Sequence, residues 1–109
     1  MDDKQYYDNH YAEMSVQPIE VMQEILSVHE LQGALLFNVN KYDMRAGHKS
    51  GEAYSKDIAK RDRYIEWLFV AASLQRIDPK LDYEVPDSFK NDILTRLQKE
   101  REEIAKRRK

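Results

Sequence analysis

Cysteine is absent from this 109-residue chain, which excludes disulfides and thiolate metal sites. Glycine and proline occur only three times each. That is too few turn formers for a many-stranded protein, so an all-α fold is expected. No apolar run approaches the roughly 18 residues that span a bilayer. The acidic N-terminus has neither the charge nor the apolar segment of a signal peptide. A cytoplasmic protein without a membrane partner is the expectation. The three histidines, at positions 10, 29 and 48, are scattered, and no cluster has metal-ligand spacing, so no metal site is expected. The serines near a histidine lack a paired acid, which removes a hydrolytic triad.

Charge is plentiful, at 35% of residues, and nearly balanced at a net −2. The balance hides an asymmetry. Residues 1–30 sum to −6, residues 41–63 to +3 and residues 95–109 to +4. The overall balance argues against direct DNA or RNA binding, while the two basic segments can attract a local anion.

Periodicity predicts a small domain of about four helices with a long C-terminal one. Residues 1–14, polar and rich in tyrosine, read as an irregular arm. Within it, the imidazole of His10 and the phenol of Tyr11 can contact a phosphate and a base, or merely pack a surface arm. Residues 15–75 read as the helical core. A first helix is expected over 18–28, started by Pro18, with Glu20 as a cap or as the partner of a cation. Its apolar stripe is Ile19, Met22, Ile25 and Leu26. A second is expected over 31–45, ending in a left-handed Gly47. A third is expected over 54–74, with Ser55 as N-cap and Ile58, Ile65, Leu68, Phe69 and Ala72 as its buried face. Residues 76–109 form a connector, irregular around Pro79 and Pro86, and a helix from about 87. Beyond Leu97 that helix is too polar to bury in its own domain, so it projects or packs on a second copy. A homo-oligomer is therefore expected.

The informative stretch is Asn38 to Lys49. On a helix Asn38, Lys41, Tyr42 and Arg45 share one stripe. The glycine turn would bring His48 and Lys49 round beside them. Such a set suits a phosphate-rich anion; equally it can be a solvated charged face. Asp57, Lys60, Arg61 and Tyr64 share a face of the third helix. Lys60 can extend the cationic set, with Asp57 holding Lys60 or Arg61, and for Arg61 plain surface pairing is preferred. Gly47-His48-Lys49-Ser50-Gly51 is not a Walker A loop, since the G-K-S/T order and a preceding strand are missing.

Taken in order, several motifs resemble the SaV-like phage domain, whose family includes the T7-type phage nucleotide kinase. They are His10-Tyr11, Pro18-Ile19-Glu20-Val21, Asn38-x-x-Lys41-Tyr42-x-x-Arg45-x-Gly-x-Lys49, Asp57-Ile-x-Lys60 and Tyr64. The likeness spans about residues 9–68. Two positions depart from the family pattern: Phe37 stands where a glycine is usual, and Arg61 where an alanine is common. The resemblance implies phosphoryl transfer from a nucleoside triphosphate to a deoxynucleoside monophosphate without a Walker motif. Lys41, Arg45 and Lys49 would then be catalytic. His10, Tyr11, Asn38, Tyr42, His48, Lys60 and Tyr64 would bind the nucleotides, and the metal requirement stays open. Two other readings compete: a phage protein that sequesters a host nucleotide or nucleotide signal without turnover, and a structural assembly protein.

Overall fold

The structure, a computed structural model, describes residues 15–48 and 50–108. They form four helices and no strand: α1 (Pro18–Ile25), α2 (Val28–Ala46), α3 (Gly51–Ala72) and α4 (Asp87–Arg107). This is the expected all-α architecture. The expected arm over residues 1–14 lies outside the described residues.

Local chemistry sets most boundaries, and it moves several of them. In α1 the Gln17 backbone N–H donates to Glu20 Oε1 at 3.1 Å, so Glu20 caps the helix rather than holding a cation. The helix stops at Ile25, three residues short of expectation, and α2 begins at Val28 rather than at 31. The cause is a capping box on Ser27, whose Oγ accepts from the Glu30 N–H while Glu30 Oε1 accepts from the Ser27 N–H. Those bonds hold the Glu30 carboxyl below its ordinary pKa.

Gly47 caps α2 with φ −67° and ψ −13°, right-handed and not left-handed as expected. The left-handed residue is Gly51, φ 68°, which opens α3 three residues before the expected start. Ser55 is thus no N-cap; its hydroxyl donates to the Gly51 carbonyl. At the other end α3 closes through bonds from Leu74 N–H to Ala71 and from Gln75 N–H to Val70. Leu74 takes the left-handed position usually given to glycine.

The short turn after α2 makes α2 and α3 an antiparallel pair. Gln32 meets Ala71, Tyr42 meets Tyr64, and Asp43 meets Arg61. From α2 the pair buries Leu31, Leu35, Val39 and Ala46, at mostly four-residue spacing. From α3 it buries Ile65 and Leu68 as expected. Ile58 and Phe69 are only half-buried and Ala72 is exposed, while Trp67, Val70 and Ala71 go inside instead. The reason is that α3 is covered on more than one side, so a single stripe underestimates its buried surface. Ile25 of α1, expected in the core, is exposed.

Residues 73–86 are irregular, as the prolines imply, but they are tied down. Gln23 from α1 brackets Ile77, donating to its carbonyl at 2.9 Å and accepting from its N–H at 2.7 Å. Arg63, only 2% exposed, donates from Nη1 to the Leu81 carbonyl and Glu66, and from Nη2 to the Pro79 carbonyl. Its guanidinium also lies 4.9 Å from the Trp67 ring centroid. One buried arginine therefore staples the connector to α3.

Helix α4 buries no residue fully. It is held by the Phe89–Phe69 edge contact, by Lys90–Asp62 at 3.2 Å, and by Arg101 on Asn40 and Asp43, both at 2.8 Å. Its polar half thus docks on its own α2 through charge. No helix among the described residues is long and apolar enough to cross a membrane.

Removing Arg63 strands the buried Pro79 carbonyl and the half-buried Leu81 carbonyl, and leaves a void beside Trp67. Arg63→Ala should lose about 3 kcal/mol of stability. Arg63→Lys should recover little, because a point ammonium cannot reproduce the fork. Urea unfolding followed by circular dichroism checks both.

Candidate functional site

The antiparallel pairing places α2's Asn38–Arg45 stripe against the start of α3. Tyr42 stacks on Tyr64, ring centroids 5.8 Å apart and planes 7° from parallel. Tyr64 in turn meets Trp67 edge-on at 5.5 Å. Among the described residues, three cations surround the Tyr42 ring: Lys41 Nζ at 4.6 Å, Lys60 Nζ at 5.4 Å and Arg45 Cζ at 5.6 Å from its centroid. The negative ring face offsets part of their mutual repulsion.

The carboxylates nearby are unevenly shared. Asp57, expected to hold Lys60 or Arg61, instead faces Arg45, with Oδ1 3.8 Å from Nη2. Asp57 is 2% exposed, and its Oδ2 finds no hydrogen-bond partner among the described residues. Asp43 is taken by Arg61 at 2.9 Å and by Arg101 at 2.8 Å. Arg61 therefore makes an interhelical bridge, with Asp62 as a second partner, and not mere surface pairing. Burial works against its charge, but the bonds from Asp43 and Asp62 outweigh it and hold its pKa above the ordinary value. Lys41 and Lys60 pair with no carboxylate among the described residues.

Of the sequence-selected residues, Lys41, Tyr42, Arg45, Lys60 and Tyr64 thus come together on one face. Asn38 sits one turn earlier, donating to the Ala34 carbonyl at 3.0 Å. His48 lies exposed on the turn, its backbone N–H bonded to the Arg45 carbonyl at 3.1 Å. His10, Tyr11 and Lys49 lie outside the described residues. Among the described residues no group of three histidine, aspartate or glutamate side chains can hold a metal ion. Trp67 was not selected, although it stands three residues after Tyr64 and so shares its face.

Residues 6–66 match a family described as protein of unknown function (DUF3310). The chain belongs to this family. The SaV proteins of Lactococcus phage SK1 and Lactococcus phage p2 are each 33% identical to it over 89 residues, covering 79% of this chain and 67% of theirs. No solved structure matches it. The DUF3310 match contains all ten sequence-selected residues, from His10 to Tyr64, while the connector and α4 lie beyond it. Neither description names an activity.

Arg45 and Asp57 of this DUF3310 chain differ in a way stability can read. Arg45 is 46% exposed and keeps its water when its partner is lost, whereas Asp57 is buried. Asp57→Asn should leave the protein at least as stable. Arg45→Ala, which leaves a buried carboxylate without counter-charge, should cost about 1 kcal/mol or more. Urea titrations of both variants beside wild type make the comparison.

Proposed function

We propose that this protein binds nucleotides with their phosphates on Lys41, Arg45 and Lys60, joined by His48 and Lys49 from the turn. In this reading it transfers a phosphoryl group from a nucleoside triphosphate to a deoxynucleoside monophosphate. The observation that carries the reading is the cation trio around Tyr42. Two of its members have no carboxylate partner among the described residues, and the ring they share is stacked on a second tyrosine. Clustered cations beside flat rings suit a ligand that is anionic at one end and aromatic at the other.

The chemistry asks for little covalent help from the protein. A phosphate oxygen of the acceptor is already an anionic nucleophile. It forms the new bond to the γ-phosphorus while the bond to the β,γ-bridging oxygen breaks, leaving two nucleoside diphosphates. Alignment of donor and acceptor, and neutralisation of charge on the transferring group, supply the rate. Lys41, Arg45 and Lys49 would do this, with Lys60 at the edge. Tyr42 and Tyr64, together with His10, Tyr11 and Asn38, would hold sugars and bases. In this reading, and given the phage relatives, the activity would work in an infected host's cytoplasm.

The test is product formation by purified protein with paired nucleoside tri- and monophosphates, run with and without magnesium. Turnover is expected, and binding without turnover is the sequestering alternative. Arg45→Lys keeps a counter-charge for Asp57 but loses the two-pronged grip. It should retain the fold and weaken nucleotide binding about tenfold by calorimetry. Arg107→Ala, in the exposed tail, should change nothing. Equal affinities for Arg45→Lys and wild type would reduce the trio to a solvated face.

A homo-oligomer belongs to the same reading. Phe37 on α2 is 68% exposed, and Ile104 on α4 is 41% exposed in the same groove. Sedimentation at micromolar concentration should give more than one chain per particle, and Phe37→Asp should shift it toward a single chain. A wild-type monomer at every concentration removes the proposal.

A further inference from the structure

A cleft of 190 Å³ opens between α1, α2 and α3 beside the cation trio. Its walls include Ile19, Leu31, Leu35, Asn38, Tyr64 and Trp67, and Tyr64 is the ring stacked on Tyr42 of the cation cluster. We propose that this cleft is the base subsite of the protein: it takes the nucleobase edge-first, while sugar and phosphates stay outside along Tyr64 and Tyr42. The inference rests on the reading of Lys41, Arg45 and Lys60 as a phosphate site.

Size is the first ground. Pockets that enclose a whole drug-sized ligand measure about 300 Å³ or more. A cleft of 190 Å³ admits one flat ring system and excludes the rest of a nucleotide. Continuity is the second. Tyr64 lines the cleft and is also the ring on which Tyr42 stacks, so a single side chain joins the cleft to the cation cluster. Hydrogen bonding is the third. Trp67 is 4% exposed, and its indole N–H meets no acceptor among the described residues. That N–H is closed off from solvent, so the amide of Asn38 carries the polar edge of the cleft. Asn38 uses one amide N–H on the Ala34 carbonyl and keeps its oxygen and second N–H. Mostly apolar walls with one amide that keeps an acceptor and a donor fit a heteroaromatic ring whose edge carries both. An aliphatic chain would leave those groups unmet.

Trp67 is the chain's single tryptophan, so its fluorescence reports on the cleft directly. The probes are the four deoxynucleoside 5′-monophosphates and deoxyribose 5-phosphate, which has the phosphate and no base. At least one nucleotide should bind about tenfold or more tighter than deoxyribose 5-phosphate and change Trp67 emission, which the baseless probe should not. Ala34 lines the cleft, and Ala34→Leu should fill it. Nucleotide affinity should then fall to that of deoxyribose 5-phosphate, whose own affinity should not move. Asn38→Ala adds no volume and should lower nucleotide affinity alone, which guards against a packing fault in the first variant. Unchanged nucleotide binding in both variants overturns the cleft assignment. Equal binding of nucleotides and deoxyribose 5-phosphate also overturns it and leaves the phosphate site standing. Binding of neither probe removes both.

Discussion

Everything in this structure depends on the antiparallel packing of α2 against α3. A turn of a few residues after Ala46 leaves the second helix no course but back along the first, and Leu35, Val39, Ile65 and Leu68 close the seam. That single packing event stacks Tyr42 on Tyr64, brings Lys60 to Lys41 and Arg45, and buries Asp57 beside Arg45. The cation cluster is thus a product of helix pairing rather than of any one helix. It also holds a buried carboxylate oxygen, Asp57 Oδ2, that meets no hydrogen-bond donor among the described residues.

The remaining elements join this pair through apolar anchors as well as polar contacts: Ile19 of α1 and Ile77 of the connector are buried in the same core, and Phe89 and Ile93 of α4 pack against it. The connector is held by Arg63 and Gln23, and α4 by Arg101, Lys90 and one aromatic edge contact. Such an arrangement lets a small domain order a long proline-containing segment without a second core. Asp43 stands at the centre of it, since Arg61 from α3 and Arg101 from α4 both close on its carboxylate. The residue next to Tyr42 therefore couples α4 to the face that carries the cations.

Helix number, order and class were legible in the sequence, because apolar spacing and the scarcity of glycine and proline are local properties. The start at Pro18 was legible, the start of α2 was missed because no cap was read at Ser27, and the start of α3 was misplaced because one was read at Ser55. Ser27-x-x-Glu30 is a capping box in plain sight, and it lengthened α2 by a turn. The handedness of Gly47 was misjudged because a right-handed cap and a left-handed one are equally open to glycine. The turn that follows chose Gly51 for the left-handed position.

The sequence by itself determined that Asn38, Lys41, Tyr42 and Arg45 share a helix face, since a period of 3.6 residues allows no other outcome. It determined likewise that Lys60 and Tyr64 share a face of the next helix. Only the tertiary structure decided that the two faces meet, that Asp57 answers Arg45 rather than a neighbour on its own helix, and that Arg61 bridges to Asp43. Partner choice among charges separated by many residues follows from the register of one helix on another. Register is set by how whole side-chain surfaces interlock, and no short window of sequence contains that information.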